Sequence, residues 1–357
     1  MATKNIMQLT PATAAAMTNL FEIDDGAGSS LRLSAAQLLE LVAISTLNVQ
    51  WTGTLPASFP ALINAGNGGI FLVVVSGDNI FIRKPGVFVH GSISFTDVRG
   101  LLTSITFTNL GGLADSGSDF VPTNCQNLTT ISFPTLFYVG GNFQPGQSGG
   151  MAGLTTLSIP VLAYVNGNFS PNTMASLTTL SAPALIKVGS TFGLASMANL
   201  GTLNIPNLTT VVGAFSPGSM ASLATISAPS LQSVFGIFAP YTMASLTTIS
   251  FPAMIYYGGT ITLNTALANL TTVTLGTPGT LKGVSGAMIN ISGAKLDAAS
   301  VNGILALLVS LDGTGGTTLW GAGKTVNLSG GTSAAPSGQG IIDKATLIAR
   351  TATVTTN

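Results

Sequence analysis

Side chains able to do acid–base, nucleophilic or metal chemistry are scarce in this chain, and their spacing suits none of those tasks. Eleven Asp and Glu residues and one His occur among 357 residues, and no acid lies between Asp119 and Asp297. Glycoside hydrolysis needs two carboxylates facing one sugar, and that central stretch offers none. His90 stands among Gly86, Val87, Val89 and Gly91, which supply no second metal ligand. Cys125 opens a segment whose later copies carry Met or Leu at its position, so it reads as a core thiol. As the single cysteine it forms no internal disulfide. Ser and Thr abound, yet no Ser occupies a nucleophile elbow with a base at hand. The glycine cluster Gly313–Gly316 follows an expected helix, whereas a phosphate cradle opens one. The expectation is a non-enzymatic protein with no catalytic, cofactor or metal site.

Charge points the same way. Lys plus Arg number 11, matching the 11 acids, so the net charge is zero and no basic patch is available for a phosphate backbone. Nucleic-acid binding is not expected. Charged residues make up 6% of the chain, against about 25% in an average globular protein. Hydrophobic residues reach 46%, so disorder is excluded, and the polar surface must come from Thr, Ser and Asn. The longest apolar runs, Ile70 to Val75 and Ile304 to Val309, fall well short of the ~20 residues of a spanning helix. Gln8, Thr10, Pro11 and Thr13 interrupt the N-terminal stretch, so it does not read as an export signal. No membrane insertion is expected.

What positions the remaining side chains is a repeat. The segment Leu154-Thr-Thr-Leu157-Ser-Ile-Pro160-Val-Leu162-Ala-Tyr-Val165-Asn-Gly167-Asn-Phe169 recurs with its first leucine at Leu102, Leu128, Leu154, Leu177, Leu200, Leu223, Leu246 and Leu270. Pro134 to Pro252, Met151 to Met243 and Phe143 to Phe238 keep step in parallel columns. Alternation around Leu157-Ser158-Ile159 predicts a short half-buried strand, ended by Pro160. Leu162, Val165 and Phe169 return the chain along another face, with Gly167 permitting a corner. Each turn buries a thin apolar slab that only a stacked neighbour can complete. Eight turns at about 4.8 Å each predict a rod roughly 35–40 Å long. The fold class is therefore mainly β: a repeat solenoid with ~23-residue turns, a small N-terminal hairpin/helix module and a C-terminal α/β cap.

Candidate contact residues follow from register. Thr156/Ser158, Thr179/Ser181 and Thr248/Ser250 exemplify two hydroxyl columns on one strand face. Small polar β-formers can simply solvate a sheet that lacks charges; the sharper readings are a flat binding face for a glycan or a cell-surface protein, or an ice-binding array. Tyr138, Tyr164, Tyr241, Tyr256 and Tyr257 are expected on the variable side of the turns as a contact surface. The Met column is expected inside, as corner packing.

Four segments result. Residues 1–47 predict a strand at Leu20–Ile23, a turn, a return strand at Leu31–Leu33 and a helix from Ala35 to Val42 capped by Ser34. Residues 48–101 predict a β-rich lead-in, with a hairpin across Ser76–Asn79. Residues 102–295 are the solenoid. In 296–357, Asp297 caps a helix through Leu311, followed by a strand at Thr325–Leu328, a helix from Ile341 to Ala349 and a strand at Val354.

The repeat pattern Leu-x-x-Leu-x-ψ-Pro-x-Leu-x-x-Val-x-Gly resembles irregular leucine-rich repeats of bacterial surface proteins. It lacks their Asn ladder, which leaves horseshoe curvature and a straight β-solenoid both open. The N-terminal run Leu31-Arg-Leu-Ser-Ala-Ala-Gln-Leu38 resembles the docking module of phage tail and head fibres, and the segment from Asn327 to Asn357 is similar to the ends of phage structural proteins with repeats. This resemblance implies a virion protein, a tail fibre or receptor-binding protein meeting a host cell-surface glycan or protein. It would dock to other virion proteins through its N-terminal module, as a homo-oligomer, a trimer. Alternatives are a head fibre or capsid decoration protein, a bacterial surface adhesin, and an ice-binding solenoid.

Overall fold

The computed structural model describes residues 92–357 apart from 98–99, 101, 114 and 264–266, and upstream of these the backbone of five strands. The repeat winds into a parallel β-solenoid of about ten turns, two more than the leucine count predicts. Hydrogen-bonded residues lie 26 apart in early turns, as from Thr155 Oγ1 to Thr129 O, and 23 apart in later ones, as from Thr247 Oγ1 to Ala224 O. Extra residues of the longer turn fall in the exposed turn at 147–149.

Each turn contributes to three parallel sheets. The first is built from Leu102–Phe107, Thr130–Ser132, Thr156–Ser158, Thr179–Ser181 and Thr202–Asn204, and resumes with Thr225–Ser227, Thr248–Ser250 and Thr272–Thr274. The second has nine strands, from Val87–Val89 to Gly283–Val284. The third is reduced through most of the rod to single bridges joining Phe120, Phe143, Phe169, Phe192, Phe215, Phe238 and Ile261. Sequence reading anticipates the first two. The third escapes it because one paired residue per turn leaves no period-2 pattern to read.

The core lies between the sheets. Every leading leucine, all five column methionines and Cys125 are fully buried. Burial pushes the Cys125 thiol up to about 12, and its Sγ donates to Thr123 O at 3.2 Å. Phe143, Phe169, Phe192 and Phe215 stack at centroid distances of 5.6, 5.3 and 4.8 Å. The stack turns edge-on at Phe238 because Phe251 enters from the first sheet, 5.6 Å from Phe215 and 5.1 Å from Phe238. Offset stacking and edge contacts both suit the ring quadrupole.

Two backbone devices hold the corners. Gly167 is needed for close approach and not for its dihedrals: a Cβ there would lie 2.6 Å from Gly141 O, and in the same column a Cβ at Gly236 would lie 2.5 Å from Gly213 C. The residue before each Met of the column is left-handed: Gly150, Thr173, Ser196, Ser219 and Thr242 have φ of 73, 53, 56, 55 and 51°. In non-glycine residues this conformation costs roughly 1–2 kcal/mol, and the stack imposes it at turn after turn.

With few charges, side chains pair with the backbone of neighbouring turns. Thr129, Thr155, Thr247 and Thr271 donate to the carbonyl of the preceding turn at 2.9–3.2 Å. Asn199, Asn207 and Asn269 do the same at 2.8 Å.

At the N-terminal side Thr46–Gly53 pairs antiparallel with Leu102–Phe107 and with Gly69–Leu72, while Phe21–Asp24 pairs antiparallel with Ser30–Leu33. The expected helix at Ala35–Val42, the hairpin across Ser76–Asn79 and His90 lie outside the described residues. At the other end, helix α1 (Ala298–Val309) is capped by Asp297, whose Oδ1 accepts from Ser300 N at 2.7 Å. Helix α2 (Gln339–Ala349) follows. The repeat motif stops here, but its ladder does not. Thr325–Asn327 and Thr353–Thr355 extend the third sheet in parallel beyond Met288–Asn290. Where the first sheet ends, Ser300 Oγ accepts from Val273 N at 3.0 Å. Where the second ends, Lys324 Nζ donates to the carbonyls of Val284, Ser285 and Gly286 at 3.0, 2.9 and 3.0 Å. Side chains thus satisfy backbone groups that another turn would otherwise meet.

Candidate contact surface

Strand alternation decides what each sheet shows to solvent. On the first sheet Leu157, Leu180, Leu203 and Ile226 point inward, and Thr130, Thr156, Thr179, Thr202, Thr225, Thr248 and Thr272 form one outward column. Ser158, Ser181 and Ser250 stand in the second outward column. Thr156 and Thr179 are exposed; Ser158, Ser181, Thr248 and Ser250 are half-buried. The hydroxyl columns run along both parts of this sheet, on either side of the break between Thr202–Asn204 and Thr225–Ser227.

The tyrosines divide. Tyr138, Tyr164 and Tyr256 share the outward column of the second sheet with Lys187, Thr210 and Ser233. Asn166 Nδ2 donates to Tyr138 Oη at 2.6 Å, and Phe137 meets Tyr164 edge-on at 5.4 Å. Tyr241 is exposed elsewhere on the turn, bridged to Gly218. Tyr257 is not a contact residue. It is 1% exposed because it occupies the inward position held by Val188, Val211 and Val234 in the same ladder. Burial pushes its phenol above the ordinary range, and its hydroxyl finds no partner among the described residues.

Three surface residues escaped the sequence reading. Val212, Phe235 and Ile237 are 42, 51 and 47% exposed, and the Phe235 ring lies 5.6 Å from Tyr256. Phe235 directly follows the inward Val234, a place held by Gly140, Asn166, Gly189 and Gly258 in other turns. Nothing in the turn requires a large ring there. The available signal was Phe235 and Phe238 three residues apart, only one of which matches the aromatic column.

Electrostatically this surface is bare. From 120 to 296 the chain carries no acid and three bases, Lys187, Lys282 and Lys295. Among the described residues, no group of three or more His, Cys, Asp or Glu comes together, and no helix is long and apolar enough to cross a membrane. The surface can stack rings, cover apolar groups and exchange neutral hydrogen bonds. Neither a family model, nor a curated protein, nor a solved structure matches the chain.

Proposed function

We propose that this chain is a non-enzymatic virion protein of the tail-fibre or receptor-binding kind, whose solenoid attaches to a host cell-surface glycan or protein. The observation that carries the reading is the exposed pair Val212 and Phe235, on a column that is glycine or Asn in other turns, with Phe235 beside Tyr256 and the exposed Ile237 two residues further on. Contiguous exposed apolar groups mark interaction sites. The rigid, nearly charge-free rod suits a neutral partner. The N-terminal docking role, the leucine-rich-repeat kinship and a homotrimeric state belong to the same proposal and rest on the resemblances in the sequence.

Immunogold labelling with antibodies against residues 102–295 tests it. Gold at the distal tail of particles is the expected result. Gold spread over capsids would make the chain a head fibre or decoration protein. Gold on cells with no labelled particles would overturn the virion reading and leave an adhesin. Thermal hysteresis in the purified protein would instead identify the hydroxyl face as ice-binding.

A further inference from the structure

The hydroxyl face of the first sheet ends at Thr272–Thr274, where α1 rises beside it and leaves a cavity of about 200 Å³. We propose that this notch binds one uncharged pyranose ring, the terminal sugar of a glycan. Its floor is apolar, with Leu275 and Ile304 both buried. Its wall carries the outward Thr272 and Thr274, whose hydroxyls have no partner among the described residues. Asp297 stands at the rim. One of its oxygens caps α1 through Ser300 N and the other remains an acceptor.

An apolar floor with a few convergent polar groups is how small-molecule sites orient a ligand. A sugar ring matches this set, because its C–H face is apolar and its edge is a row of hydroxyls. An anionic ligand would meet the Asp297 carboxylate. A cation would gain little from one exposed, already engaged carboxylate. Size selects a single ring, since pockets for drug-sized ligands run to about 300–1,000 Å³.

Gly303 supplies an independent reason. It lines the notch from the middle of α1, and a Cβ added there would meet nothing within 4 Å. By contrast, a Cβ at Gly340 in α2 would lie 2.0 Å from Asn302 Oδ1, so packing explains that glycine. Packing does not explain Gly303, and glycine weakens a helix interior relative to alanine. Its missing side chain keeps the notch open.

This inference deepens the attachment reading and fails separately from it. Saturation-transfer difference NMR on the full chain, with the methyl glycosides of glucose, galactose, mannose, rhamnose and N-acetylglucosamine, provides the test. At least one glycoside should show ring-proton transfer. Gly303→Leu should abolish that signal while the thermal midpoint holds or rises, because leucine is the better helix former. Thr272→Val should weaken binding about tenfold through the lost hydroxyl. No signal from any glycoside, or one that survives Gly303→Leu, overturns the notch and leaves cell attachment by other faces standing. Sugar binding in a chain that adsorbs to no cell would sink the attachment reading and leave the notch.

Discussion

The first and second sheets enclose the same core, yet their outward columns obey different rules. The first shows Thr at seven successive strands, from Thr130 to Thr272. The second shows Tyr138, Tyr164, Lys187, Thr210, Ser233 and Tyr256. Beside it runs a near-constant column of its own, the glycines at 167, 213, 236 and 259, where a Cβ would strike the preceding turn's backbone. Constancy therefore has two origins. The glycines answer to stacking, with Ser190 the one side chain the column accommodates between Gly167 and Gly213; the threonines meet no comparable steric demand. The variable column is where chemistry can change from turn to turn without disturbing the rod, and the exposed Phe235 lies against its Tyr256.

Three substitutions can break or sharpen this contrast. The largest effect is expected at Gly236→Val, where neighbouring backbone cannot move aside. Overpacking should cost about 3 kcal/mol, measured by urea unfolding, and a loss below about 1 kcal/mol would remove the steric account of the column. Next comes Thr242→Gly, which relieves a β-branched residue at φ 51°. A gain of about 1 kcal/mol is expected from the released strain, partly offset by glycine's extra unfolded-state entropy. A loss would show that contacts of the threonine side chain outweigh the strain. The smallest is Thr202→Ala on the hydroxyl face, expected within about 0.5 kcal/mol of wild type. A larger loss would make the Thr column a structural requirement like the glycines.

Much of the rod was legible because the repeat fixes register. The Leu, Met and Phe columns predicted as core are all buried, and the Asp297 cap and both C-terminal helices fall where the pattern places them. Expectation and structure part where a residue's chemistry and its repeat register disagree. Tyr257 lies 23 residues after Val234, so the repeat itself assigns it to the interior, whereas its chemistry suggested the surface. Phe235 is the converse case, since an aromatic in an aromatic-rich repeat suggests core although its column is an exposed one. The left-handed corners carry Thr or Ser in four turns where glycine or Asn would have announced them. The notch depends on a helix packing against a strand, which no local pattern encodes.

The most direct test compares the two faces on cells. The fluorescently labelled chain would be adsorbed to whichever cells the immunogold antibodies mark, as wild type, as Phe235→Ser/Ile237→Ser and as Thr156→Ala/Thr179→Ala. The account predicts that the first double variant loses adsorption at least about tenfold, as expected for central apolar anchors. The second should adsorb like wild type, and all three should unfold alike. Unchanged adsorption by Phe235→Ser/Ile237→Ser, or loss confined to the threonine variant, would contradict it.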